Sequence, residues 1–169
     1  SDRPAATNTL AYLRANGLTI NDACGDPGLT VTSVDGTPSG TCPITIIRTY
    51  TVTDACNNSS TATQTITIDD NTAPTITGTL TPIMVEGCTQ SDRPAATNTL
   101  AYLRANGLSV SDACGDPGLT VTSSDGTPTG SCPITIIRTY TVTDACNNSI
   151  NVTQTITVDD DIPPTASNP

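Results

Sequence analysis

The chain reads as stretches of alternating apolar and polar residues separated by turn chemistry. Ile44 to Thr53 is rich in β-branched residues and has a period of two, as does Thr61 to Ile68. Between them lies Asp54-Ala55-Cys56-Asn57-Asn58-Ser59, a run of turn formers, so the pair is predicted to be a β-hairpin. In the second strand Ala62, Gln64, Ile66 and Ile68 share one face and the threonines take the other. The first strand puts Ile44, Ile46, Tyr50 and Val52 on the core face. Arg48 falls on that face too, where it can snorkel out at an edge, pair with a carboxylate or mark a bulge. Leu29 to Thr32 is a shorter strand, and Thr75 to Leu80 with Ile83 to Val85 forms a leading strand broken at Pro82. Ala5 to Asn16 differs: Ala6, Leu10 and Leu13 recur at helical spacing. Ser1 or Asp2 stands where a cap is needed, Pro4 where a first turn tolerates it, and Gly17 where a helix stops.

The whole pattern occurs twice. The text beginning at Ser1 begins again at Ser91, without a gap and with mild substitutions such as Ile20 to Val110 and Ile68 to Val158. A repeat of this length is one folded module, and near-identical tandem modules characterise arrays rather than enzymes. The stretch Asp69-Asp70-Asn71-Thr72-Ala73-Pro74 reads as a linker, with a counterpart at Asp159 to Pro164. The folded modules are therefore expected over residues 1–70, with the first strand missing, and 71–160. Residues 161–169 would open a next module.

Composition narrows the function. There is no His, Trp or Phe, and the net charge is −10. All six basic residues are arginines, so the basic footprint of a nucleic-acid binder is missing and an anionic membrane surface would repel the chain. No apolar run is long enough to span a bilayer. So few large side chains make a lean core that needs a further staple. Seven cysteines supply the candidate: Cys24, Cys42, Cys56, Cys88, Cys114, Cys132 and Cys146. One full period carries four, and the first copy has the equivalents of the last three. Without His and without a C-x2-C pair, disulfides in an oxidising compartment are favoured over zinc. Cys132 and Cys146 flank one strand that rises about 3.3 Å per residue, too far apart for a bridge that needs Cα atoms within about 7 Å. Two connectivities remain for a complete module.

The run Arg48 to Ser59, then Thr63 to Asp70, then Ala73-Pro74, resembles the immunoglobulin-like HYR-type repeats of large bacterial surface proteins, especially Bacteroidetes adhesins and gliding-motility filaments. The motif recurs from Arg138 to Asp160. The resemblance implies an all-β fold of tandem immunoglobulin-like sandwiches, here each with one short helix and disulfide-stapled. It implies secretion to the cell surface, a scaffold or adhesive role and no catalysis. In such a sandwich the loop holding Cys114 and the hairpin holding Cys146 lie at one end. This favours Cys114–Cys146 and Cys88–Cys132. In the first copy it favours Cys24–Cys56, with Cys42 paired to a residue before Ser1.

The same fold would bring the linker to those loops. Asp69, Asp70 and Asn71 could then face Asp112, Asp116 and Asp144, an oxygen-rich set suited to Ca²⁺, which takes about 6–8 oxygens. The competing explanation is that Asp and Asn simply make turns. A hydrolase finds no support: there is no His and no G-x-S-x-G. Thr61, Thr63, Thr65 and Thr67 beside Thr49, Thr51 and Thr53 form an array that could bind ice or sugar, although a solvated strand face is the commoner cause of such an array. Asn58 and Asn151 sit in glycosylation sequons whose positions differ between the copies. The expected function is a non-catalytic segment of an extracellular filament or adhesin stalk, its partners being neighbouring modules and other copies of the chain. A glycan- or ice-binding module using the loops or the threonine face is the alternative.

Overall fold

The computed structural model describes residues 2–166, so Ser1 and its capping role lie outside the described residues. The chain divides into two compact units, Ser1–Asp70 and Asn71–Pro169.

The first unit opens with an extended segment and the helix α1, Leu10–Ala15. The helix is shorter than its apolar spacing suggests. Thr9, in extended backbone, caps it by accepting from the Tyr12 amide at 3.1 Å. That cap is four residues beyond Ala5, and Pro4 stays outside the helix. Gly17, at φ +90°, ends it, and the Leu18 amide turns back to the Leu13 carbonyl at 3.1 Å. Three antiparallel strands follow: β1 (Thr30–Asp35), β2 (Ile44–Thr53) and β3 (Ser59–Ile68), in that spatial order. The hairpin forms as its pattern predicts, with Thr53 opposite Ser59. Leu13, Ile46, Tyr50 and Ile66 are the buried apolar side chains, and α1 lays Leu13 and Tyr12 against the inward face.

The second unit repeats this and adds to it. β4 (Thr75–Gly78) and β5 (Ile83–Glu86) precede α2 (Leu100–Ala105). Then come β6 (Leu108–Ser111), β7 (Thr120–Asp125), β8 (Ile134–Thr143) and β9 (Ser149–Asp159). The leading strand is indeed broken, and its halves join different sheets. β4 pairs antiparallel with β6, whereas β5 pairs parallel with β9 in a four-stranded sheet ordered β5-β9-β8-β7. Two layers result, with Leu80, Leu103, Leu108, Val110, Tyr140 and Val142 buried between them. This is the immunoglobulin-like, all-β architecture with one short helix per module.

β6 is the element that local pattern does not reveal. The matching residues of the first unit, Leu18 to Asn21, are not a strand, although they keep the same alternation of apolar and polar positions. The difference is a partner. In the second unit β4 supplies the backbone ladder, and Leu108 and Val110 become buried while Leu18 and Ile20 stay half-exposed. Close approach there depends on glycine. A Cβ on Gly78, which has φ +95°, would fall 2.2 Å from the Gly107 carbonyl oxygen.

Candidate functional site

Each unit contains the same buried ion pair, and it decides the role of the arginine on the core face. In β8 the period of two turns Arg138 inward with Tyr140 and Val142, and its side chain is only 3% exposed. A lone guanidinium there would be prohibitively desolvated. β7 resolves this by placing Asp125 directly opposite in register. Arg138 Nε donates to Asp125 Oδ1 at 2.6 Å and Nη2 to Oδ2 at 3.0 Å, and Nη2 also donates to the Pro94 carbonyl at 2.9 Å. Arg93 donates from Nε to the same Oδ2 at 2.6 Å. Hydrogen bonds from Arg138, and then from Arg93, hold the Asp125 carboxyl at about 2. The first unit repeats the arrangement: Arg48 donates to Asp35 at 2.6 and 3.1 Å and to the Pro4 carbonyl at 2.9 Å, and Arg3 lies 2.9 Å from Asp35. Carboxylate pairing is therefore the correct member of the three options for Arg48. The arginines also tether the segments before the helices to the sheets. A cleft of about 430 Å³ opens over the trio in the second unit and one of about 370 Å³ in the first.

A second polar contact in each core involves glutamine. Gln154, 1% exposed, accepts from the Tyr102 hydroxyl at 3.3 Å and donates to the Thr81 carbonyl at 2.8 Å. In the first unit Gln64 accepts from the Tyr50 hydroxyl and donates to the Tyr12 hydroxyl.

The carboxylates proposed as calcium ligands have local work. Asp144 Oδ1 accepts from the Cys146 and Asn148 amides, both at 2.8 Å, and Oδ2 from the Asn148 side chain at 2.9 Å. Burial pushes its pKa up, but these hydrogen bonds outweigh burial and leave the carboxyl below its usual value. Asp116 accepts from Arg104 Nη2 at 2.8 Å, and the same nitrogen donates to the Val110 carbonyl at 2.6 Å. Asp112 Oδ1 accepts from the Cys114 amide at 2.9 Å, while its buried Oδ2 has no hydrogen-bond partner. Within the second module, turn chemistry thus accounts for Asp144 and an arginine for Asp116. Asp69 and Asp70 end the first unit and Asn71 begins the second.

The cysteines fall at the two ends of each sandwich. At one end the loop after Asp112 packs on the β8–β9 turn: a Cβ on Gly118 would lie 3.2 Å from Ala145 Cβ, which brings the Cys114 loop to the Cys146 turn. Gly28 and Ala55 repeat this contact beside Cys24 and Cys56, two exposed thiols that the structure does not join. At the other end Cys88 Sγ lies 3.6 Å from Asp160 Oδ2, and Cys132 Sγ lies 3.3 Å from Asp159 Oδ1. Both are exposed thiols flanking the last residues of β9, likewise not joined. The charge of Asp160 and its hydrogen bond push the Cys88 thiol up. Cys42 Sγ stands 3.3 Å from Asp69 Oδ1 in the first unit, the position matching Cys132.

Four cysteines per period, spaced around such a sandwich, match a family model described as an HYR-like domain with 4 cysteines, over residues 7–68 and 91–158. The chain belongs to this family. Among curated proteins none matches it. HYR-like domains occur in extracellular or cell-surface proteins as repeat or adhesion-type modules and are usually non-catalytic. No helix among the described residues is long and apolar enough to cross a membrane.

The remaining surface features of the HYR-like modules are weaker. The threonine array is interrupted: Ile47 faces Thr65 and Ile137 faces Thr155, and both isoleucines are more than two-fifths exposed. Asn58 donates its side-chain amide to Asp54 Oδ2 at 2.9 Å, and Asn151 accepts from Thr141 at 2.8 Å.

Proposed function

We propose that this chain is a structural repeat segment of a long extracellular filament or adhesin stalk. The observation that carries the reading is the duplication of a shared internal core, a helix on three antiparallel strands with its polar contacts, and not only of its text. The buried Arg–Asp pair, the contact between the core glutamine and the helix tyrosine, and the Asx-closed hairpin turn recur in both units. Loops that would diverge in dedicated binding modules are nearly the same in both.

The stapling belongs to this proposal: Cys88–Cys132 closing one end of the complete module and Cys114–Cys146 the other, with Cys24–Cys56 in the first unit. Each bridge would contribute about 2–4 kcal/mol, a large share of the stability of a small sandwich. Asp159 and Asp160 beside the sulfurs would slow reduction, because they repel incoming thiolates.

Antibodies raised to the chain should label intact cells that express it, and peptide mapping under non-reducing conditions should recover the three pairs. Labelling only after lysis would overturn the surface assignment. Bridges that join one module to the other would overturn the pairing.

A further inference from the structure

We propose that the cleft over Arg93, Arg138 and Asp125 binds the carboxylate of an acidic sugar. The charge balance is the first observation. Arg104 meets Asp116 one to one, and Arg14 meets Asp26 likewise. In the cleft two guanidinium groups share one carboxylate, leaving a positive excess in a chain whose net charge is −10. Asp92, the next acid along the chain, spends Oδ2 on the Cys88 and Thr89 amides.

The second observation is pre-organisation. Arg138 is held by Asp125 and the Pro94 carbonyl, so a ligand would not have to order it. Arg93 is anchored through Nε to Asp125 and through Nη1 to the Gln90 carbonyl. Its Nη2 makes no hydrogen bond to a described protein group, and a third of the side chain is open.

The lining gives the ligand class. The cavity of about 430 Å³ lies within the range of small-ligand sites. Ser91, Ser123, Ser124, Pro94, Ala95 and Ala96 line the rest of it. These are hydroxyls beside small apolar residues, suited to the polar edge and apolar face of a hydroxylated ring.

The inference goes beyond the stalk reading, which survives its failure. The test is amide and arginine-side-chain NMR on the 169-residue chain, titrated with sodium glucuronate, glucose and sodium acetate. Glucuronate should bind with millimolar affinity and move Ser123, Ser124, Asp125 and the Arg93 Nε signal. Glucose and acetate should each bind about tenfold more weakly, since each lacks one half of the recognition. Arg93→Gln should weaken glucuronate about tenfold. Ser123→Ala, on the strand face that Asp125 shares, should weaken it without touching the ion pairs. Equal binding of glucose, equal binding of acetate, shifts elsewhere, or titrations unchanged in both variants would each overturn the proposal.

Discussion

Replacing Asp125 by asparagine should be among the most damaging single changes in the second module. The side chain keeps its shape but loses the charge that neutralises Arg138, whose side chain is 3% exposed. A carboxyl held at about 2 against an ordinary 3.8 corresponds to about 2.4 kcal/mol at neutral pH. Solvent at its open side reduces this, while stranding a buried guanidinium costs about 3–5 kcal/mol in comparable cases. A loss of about 2–4 kcal/mol would lower the melting temperature by about 10–25 °C for a unit of this size. Scanning calorimetry is the assay, because the first module carries its own Asp35 and serves as an internal reference. The folded pKa lies below the unfolded one, so the unfolded state binds more protons between pH 2 and 4. The stabilisation is complete above the unfolded value and disappears as pH falls through about 2. Asp125→Asn should lose that dependence in the second transition alone. The double variant Asp125→Leu with Arg138→Met should be less damaged than Asp125→Asn, since no charge is stranded. A melting temperature within two degrees or so of the parent for Asp125→Asn would refute the reasoning, given the shift expected per kcal/mol.

Other outcomes follow from single contacts. Gly78→Ala must fit a Cβ 2.2 Å from the Gly107 oxygen at φ +95°; a loss of about 2 kcal/mol or more is expected in urea melts, with the β4–β6 amides losing exchange protection first. Thr99→Ala removes the α2 cap and should cost about 1 kcal/mol, read from the same melts. The isolated second module should show no Ca²⁺ heat in calorimetry at sub-millimolar concentrations, since Asp144 and Asp116 are already occupied by their own module. Tight binding would show that these carboxylates leave their partners.

The strands and the hairpin were legible because each separates a solvated face from a buried one, and the period of two in Ile44 to Ile68 records that separation directly. The helix was legible but misplaced at its start. Ala5 and Ala6 carry helical propensity, yet the Pro4 carbonyl and the adjoining segment are committed to Arg48, which delays the helix to the Thr9 cap. β6 was hidden for a different reason. Leu108-Ser109-Val110-Ser111 is too short to announce itself, and its partner lies far upstream at Thr75 to Gly78. The ion-pair trio was half visible. Periodicity put Arg48 on the core face, but Asp35 lies in the part of β1 beyond the predicted end at Thr32. The turn-closing role of Asp144 is legible in Asp-Ala-Cys-Asn-Asn only as turn chemistry, since a carboxylate that closes a turn and one that holds a cation look alike until their lone pairs are counted.

The parallel ladder between β5 and β9 has a consequence for load. Ile83 pairs with Ile156 and Glu86 with Asp159, so β5, the next strand to take tension after β4, runs alongside the strand by which it would leave. Opposed pulls on the chain before Ile83 and after Asp159 act along the ladder, and its hydrogen bonds must slip together instead of opening one by one. The second module is therefore built to yield in shear.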